Sequence, residues 1–224
     1  MKLLRIIVVA ITFALYCSSC IHPNSKENLV KKYIYPHDGY ISTGEIVNGN
    51  KYSLDLYNIE YYQQSNGPWT SQRVMMVFPK NCSGKVPAVV VPFYFPEAMI
   101  GIDPRTGESL PKYYGIEIMA KLAERGIASI SAESYHLTYI KSDKDRDDFT
   151  RWEDAGQALL KDYPQWCGVG KLVYDTRLLV DMLEADPRID RDKIGIAGHS
   201  LGGKMAFYTG CLDPRIKVIL ALGR

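Results

Sequence analysis

Residues 193–208 read Lys193-Ile194-Gly195-Ile196-Ala197-Gly198-His199-Ser200-Leu201-Gly202-Gly203-Lys204-Met205-Ala206-Phe207-Tyr208, and the fold turns on how this stretch bends. Ile194 to Ala197 is a short apolar run that suits a buried strand. Leu201, Met205 and Tyr208 follow at helical spacing. Between them lies G-x-S-x-G, here Gly198-His199-Ser200-Leu201-Gly202. Strand, sharp turn and helix is the context in which that pentapeptide has a mechanism. The residues two before and two after the serine come close together in such a turn, so Gly198 and Gly202 carry no side chain. The turn lifts the Ser200 hydroxyl above the sheet edge. It also sets that hydroxyl at a helix N-terminus, where N–H groups and the dipole favour developing negative charge.

Working outward from the turn, Lys171 to Glu184 carries Leu172, Leu179, Met182 and Leu183 and reads as an amphipathic helix. Asp186-Pro187-Arg188-Ile189-Asp190 turns from it into the Ile194 strand. After the Leu201 helix, Asp213-Pro214-Arg215 leads into a strand over Ile216 to Leu222. Upstream, Val86 to Phe93 is an unbroken apolar run, which predicts a strand buried on both faces. A tight loop, Pro92 to Glu97, follows. Pro111 to Arg125 carries Tyr114, Ile118 and Leu122 and predicts a helix with Gly126 as its C′ residue. Ile127 to Ala132 is the next strand. Strand, helix, strand with short connections argues a parallel sheet.

Tyr52 to Tyr62 and Arg73 to Phe78 read as an antiparallel pair, the first at the sheet edge, with a turn at Asn66-Gly67-Pro68. Asn48-Gly49-Asn50 is a strong turn signal in the lead-in before them. Glu133 to Gly170 is longer than a connection needs. Lys141 to Asp148 is dense in both charges and reads as a solvated loop. Thr150-Arg151-Trp152-Glu153 fits a capping box opening a helix through Leu160. This insertion is expected either to wall a cleft or to be a surface excursion.

The 224 residues, 46% hydrophobic and 23% charged, suit one globular domain with a sizeable core. A net charge of +2 gives no reason to expect nucleic acid. The 16 tyrosines suit a carbohydrate- or aromatic-facing surface. Residues 1–20 are expected to lie outside the fold. Lys2 and Arg5 give a positive start, and Ile6 to Tyr16 is an apolar run too short to span a bilayer comfortably. Cys17-Ser18-Ser19-Cys20 then places small residues before a cysteine. This resembles a bacterial lipoprotein signal, with Cys20 as the lipidated first residue; a plain secretory signal or an uncleaved anchor is the alternative. Either way the fold is expected outside the cytoplasm, on the periplasmic or cell-surface side. Residues 21–50 read as tether and lead-in, and 51–224 as the domain. Cys82, Cys167 and Cys211 match no metal-site spacing. A Cys82–Cys167 disulfide is one option in an oxidising compartment, and Cys211 reads as a small core residue. His22 and His37 read as surface residues.

On these motifs residues 52–224 resemble the α/β-hydrolase superfamily, in particular its dienelactone hydrolase-like and acetyl xylan esterase-like branch. The segment DPRIDRDKIGIAGHSLGGKMAFYTGCLDPRIKVILAL carries the likeness. The resemblance implies an α/β fold, a mostly parallel sheet flanked by helices, and Ser200 as nucleophile. It implies one oxyanion donor in the backbone N–H of Leu201. The other lies in the loop after the third strand, where a His-Gly pair is common; Phe93-Tyr94 stands there, and their backbone supplies the candidates. No metal or organic cofactor is implied.

The same resemblance places an acid and then a histidine after the serine. Past Ser200 this sequence has one acid, Asp213, and no histidine. The chain therefore reads as a fragment or a truncated relative, lacking the last strands and helices of the fold. Ile216, Val218, Ile219 and Leu220 would then lie on an uncovered edge. Glu133 and His136, just past the Ile127 strand, are the upstream candidates for substitute cleft residues. His199 adjoins Ser200 and reads as structural. Three functions stay open: an esterase acting on a small-molecule or carbohydrate ester, acetyl esters of plant polysaccharide among them; a prolyl-oligopeptidase-like peptidase; and a catalytically silent surface lipoprotein.

Overall fold

The computed structural model describes residues 34, 46–66, 71–80, 82–111, 115–139 and 148–223. The lipoprotein-type signal with Cys20, both His22 and His37, and the charged stretch expected as a loop from Lys141 lie outside them, except for the last residue of that stretch, Asp148, which is the first of a helix. No helix among the described residues is long and apolar enough to cross a membrane.

Seven strands form one mixed sheet: β1 (Ile46–Ser53), β2 (Tyr57–Ser65), β3 (Ser71–Pro79), β4 (Val86–Val90), β5 (Ala128–Ala132), β6 (Ile189–His199) and β7 (Val218–Leu222). Their order across the sheet is β1-β2-β3-β5-β4-β6-β7. Strands β5, β4, β6 and β7 run parallel to their neighbours in that series, while β1, β2 and β3 pair antiparallel and join at β3–β5. Connections leave β4 toward β5 on one side and reach β6 on the other. The C-terminal end of β4 is thus the switch point where open α/β sheets place ligands.

The helices are α1 (Ile118–Ala123), α2 (Tyr135–Thr138), α3 (Asp148–Asp162), α4 (Gly168–Ala185) and α5 (Leu201–Leu212). The strand period of two sorts side chains between the two faces. Val74, Met76 and Phe78 of β3 join Ala88, Val90, Ile130, Leu179 and Leu183 in one core layer. Met75 and Val77 point the other way and pack with Ile59, Val91, Phe93, Met99 and Met119. A third cluster holds the insertion in place: Tyr135, Ala155, Leu159 and Trp166 pack with Leu172, Leu178 and Met205.

Several expectations change. Asn48-Gly49-Asn50 does not turn; it lies inside β1, where the register with β2 shifts between Asn48 and Lys51. Strand β1 therefore begins at Ile46, within the segment expected as lead-in, and Tyr52 to Tyr62 is divided between β1 and β2 by a turn at Leu54 to Leu56. A Cβ on Gly49 would come within 3.0 Å of the Tyr61 carbonyl oxygen, so the glycine admits the neighbouring strand. Strand β4 stops at Val90, and Pro96–Met99 forms a 3-10 turn beyond it. Helix α1 begins only at Ile118; Gly126 ends it as expected, at φ 74°. Helix α3 begins at Asp148, so Thr150 lies inside it rather than capping it. Ile216 precedes the last strand and is buried.

The cysteines also differ from expectation. Cys82 and Cys167 are both free, and Cys211 is exposed rather than core. Cys167 caps α4: its Sγ accepts from the Gly170 N–H at 3.3 Å.

Candidate active site

Ser200 is exposed, between β6 and α5, with φ 56° and ψ −119°. Among the described residues it is the one non-glycine with positive φ. Such a conformation costs an ordinary residue on the order of 1–3 kcal/mol and persists only when its surroundings impose it. Four constraints impose it here. A Cβ on Gly198 would sit 2.0 Å from the Gly202 carbonyl oxygen. A Cβ on Gly202 would sit 2.0 Å from the Pro92 carbonyl oxygen, and one on Gly203 2.5 Å from that of Leu222. The Ser200 N–H donates to the Leu222 carbonyl at 2.9 Å, fastening the turn to β7.

The turn thus packs backbone against backbone on the loop that leaves β4. Phe93 of that loop is buried, and Tyr94 is half-buried with its ring stacked on Trp152 of α3 at 4.7 Å and 18°. The Tyr94 carbonyl accepts from the Ser134 N–H at 2.9 Å, tying the β4 loop to the β5 loop. Leu201 is the first residue of α5, and the first N–H groups of a helix have no intrahelical acceptor. Gly202 and Leu201, which follow Ser200, are therefore brought against Pro92 and Phe93 at the switch point, with Tyr94 next along the same loop.

Glu133 and His136 are engaged elsewhere. Glu133 accepts from Arg73 Nη2 at 3.0 Å, and Arg73 also holds Glu97 through both of its Nη atoms. Tyr61 donates its hydroxyl to Glu97 at 2.8 Å. Burial pushes the Glu97 carboxyl up, but the Arg73 bonds outweigh it and hold the group below its ordinary range. His136 is buried, its Nδ1 lies 2.7 Å from the Ser134 hydroxyl, and its ring packs against Tyr135 and Trp152. Burial alone lowers its pKa to about 4, so the ring is neutral at pH 7. Asp213 is also committed: Arg215 and Arg177 bind it, and those bonds overcome the upward push of burial.

Sequence reasoning missed three partners. Trp152 and Arg151 were read as parts of a cap, and Arg73 as an ordinary strand residue. Trp152, Ala155 and Leu159 recur at helical spacing and would have marked the inward face of α3. Nothing local marks Arg73, whose partners lie 24 and 60 positions away.

Comparison with known proteins agrees with this geometry. A protein from Bacteroides fragilis NCTC 9343 assigned as an acetyl xylan esterase superposes with a TM-score of 0.67 at 16% identity, over 85% of this chain and 50% of that one. A glucuronoyl esterase from Solibacter usitatus gives 0.56 at 15%, over 86% and 56%. Identities this low show the fold. The chain spans about half the length of these solved structures. YtaP of Bacillus subtilis (strain 168), whose name assigns it as a hydrolase, is 40% identical over 53 residues, which is 24% of this chain and 18% of YtaP. The model of the dienelactone hydrolase family matches residues 73–221, from Arg73 on β3 through the elbow to β7. The chain belongs to the dienelactone hydrolase family.

Proposed function

We propose that this chain carries the nucleophile and oxyanion site of a serine carboxylic-ester hydrolase. The observation that carries the reading is the Ser200 turn, held at φ 56° at the start of a 12-residue helix and packed on the β4 loop. The strained turn exposes one hydroxyl beside the first N–H groups of the helix. Ser200 Oγ bonds to the ester carbonyl carbon, and the carbonyl π pair moves onto oxygen. The Leu201 N–H and the backbone of Phe93 or Tyr94 hold that oxyanion. Collapse breaks the carbonyl C–O bond and expels the alkoxide, which takes up the proton that Ser200 Oγ released and leaves as the alcohol; water then adds to the acyl-serine, releasing the carboxylic acid and returning the serine hydroxyl. The proton acceptor is neither His136, occupied with Ser134, nor Asp213, occupied with two arginines.

The proposed substrate is an acetyl or similarly small ester of a carbohydrate. The names of the fold neighbours and the aromatic wall of Tyr94 and Trp152 support that choice. Export and lipid anchoring through Cys20 are part of the same proposal and rest on the signal-like start of the sequence. A fluorophosphonate probe tests the reading. Ser200 is expected to be labelled, with loss of labelling in Ser200→Ala. No labelling of Ser200 would sink it.

A further inference from the structure

At the edge of the sheet where β4, β5 and β6 end is a cleft of about 420 Å³, whose charged lining is Arg73, Arg105 and Arg151 with Glu97, Asp103 and Glu133. Phe95 is the residue after Tyr94, and Arg151 is the residue before Trp152. The segments that line the cleft are therefore the ones that carry the Tyr94–Trp152 stack.

Its three guanidinium groups are not equivalent. Arg73 is saturated by Glu97 and Glu133. Arg105 is clamped by Asp103, through Nε at 3.0 Å and Nη2 at 2.7 Å. Arg151 has no carboxylate partner among the described residues. Its Nη2 donates to the Leu137 carbonyl at 2.8 Å, and its Nε is buried without an acceptor. A cationic donor left without an acceptor costs more than a neutral one, and a planar guanidinium is matched best by a carboxylate. Lysine would not fix that geometry.

A second hollow, about 270 Å³, lies across the outer side of β1 and β2. Arg73 and Arg105 line both hollows, so the two adjoin, and a ligand long enough to cross the pair of arginines would use them as one groove. Asn48, Asn50, Tyr52 and Gln63 line its far end. Planar amides and tyrosines offer paired donors and acceptors beside apolar ring faces, the chemistry that suits sugar hydroxyls and sugar rings.

We propose that this groove binds an oligosaccharide bearing carboxylate groups, with Arg151 pairing a uronic-acid carboxylate next to the elbow and the β1–β2 end holding neutral sugar hydroxyls. The word substrate for this ligand rests on the hydrolase reading; the binding does not. It narrows the carbohydrate ester to one carried on an acidic chain.

The test is calorimetry on the 224-residue chain with a trimer of galacturonic acid, against a neutral xylose trimer and against inorganic sulfate. The acidic trimer is expected to bind at least tenfold more tightly than the neutral one, and its affinity is expected to fall with salt. Sulfate alone is expected to bind at least tenfold more weakly than the acidic trimer. Arg151→Gln is expected to erase the preference for the acidic trimer. Equal binding of the two trimers, a preference that survives Arg151→Gln, or sulfate binding as tightly as the acidic trimer overturns the proposal. Hydrogen exchange of the wild-type chain gives a second readout that needs no variant. The acidic trimer is expected to slow exchange in 46–53 and 148–155, and protection confined to other segments also overturns it. Uronide binding without probe labelling at Ser200 would leave the groove standing and remove the hydrolase; labelling without uronide preference would do the reverse.

Discussion

Gly202 and Pro92 meet with no room for a side-chain carbon between them: a Cβ on the glycine would lie 2.0 Å from the proline carbonyl oxygen. The obstacle is backbone, which cannot rotate aside as a side chain would. Gly202→Ala is therefore expected to push α5 off the β4 loop and cost about 3 kcal/mol, lowering the melting temperature by roughly 6–12 °C. It is also expected to slow fluorophosphonate labelling, because the clash displaces the oxyanion loop relative to Ser200. A thermal melt within 2 °C of wild type, with an unchanged labelling rate, would contradict the packing.

Ser200 itself stores strain that glycine would release. Ser200→Gly is expected to stabilise the chain by about 1 kcal/mol, while Ser200→Ala stays near wild type, since alanine keeps a Cβ at positive φ. Both abolish labelling. Denaturant unfolding of the three proteins in parallel checks the order.

Lys171 and Asp175, one helical turn apart on α4, are both buried. Lys171 Nζ lies 2.5 Å from Asp175 Oδ1 and 2.8 Å from the Asn66 carbonyl. Burial pushes the Asp175 carboxyl up to about 6 and the Lys171 ammonium down, so the pair survives through its mutual contact. Lys171→Met is expected to cost about 3–5 kcal/mol by stranding the carboxylate. The double variant Lys171→Met/Asp175→Leu is expected to cost less than Lys171→Met alone. A double variant at least as unstable as the single would refute the coupling.

His136 makes stability depend on acid. Its folded pKa, about 4, lies below the ordinary 6.5, so between those values the unfolded chain binds a proton that the folded chain does not. The stability it contributes is complete above pH 6.5 and is lost as pH falls through 4. His136→Phe is expected to flatten that part of the curve. Urea midpoints for the two proteins at several pH values from 7 down to 4 measure it, and parallel curves would show that His136 is not the group responsible.

The elbow was readable in the sequence because its requirements are local: glycines two positions either side of a serine, with an apolar strand before and a helical period after. The run from β4 through α1 to β5 was readable for the same reason. Strand β1 was not, because seven of its eight residues are exposed and offer no alternation, and because the bulge at Asn48–Lys51 takes the same Asn-Gly chemistry as a turn. The Lys171–Asp175 pair looks, four residues apart, like an ordinary solvated helix pair. Only the return of β2, which brings Asn66 against α4, makes it interior. Arg73 and Glu133 belong to one network because β3 and β5 are neighbours, a long-range pairing that residue spacing does not encode.

Strand β7 lies at the edge of the sheet, with all five residues, Val218 to Leu222, exposed. The Ser200 amide hydrogen bonds to that strand, through Leu222. The nucleophile turn is thus tied to the outermost ladder among the described strands: an opening of β7 would cost Ser200 the bond that pins its peptide plane. The amide of Ser200 is a built-in gauge of how firmly that margin is closed, and anything that pairs with the outer side of β7 would steady the serine without touching it.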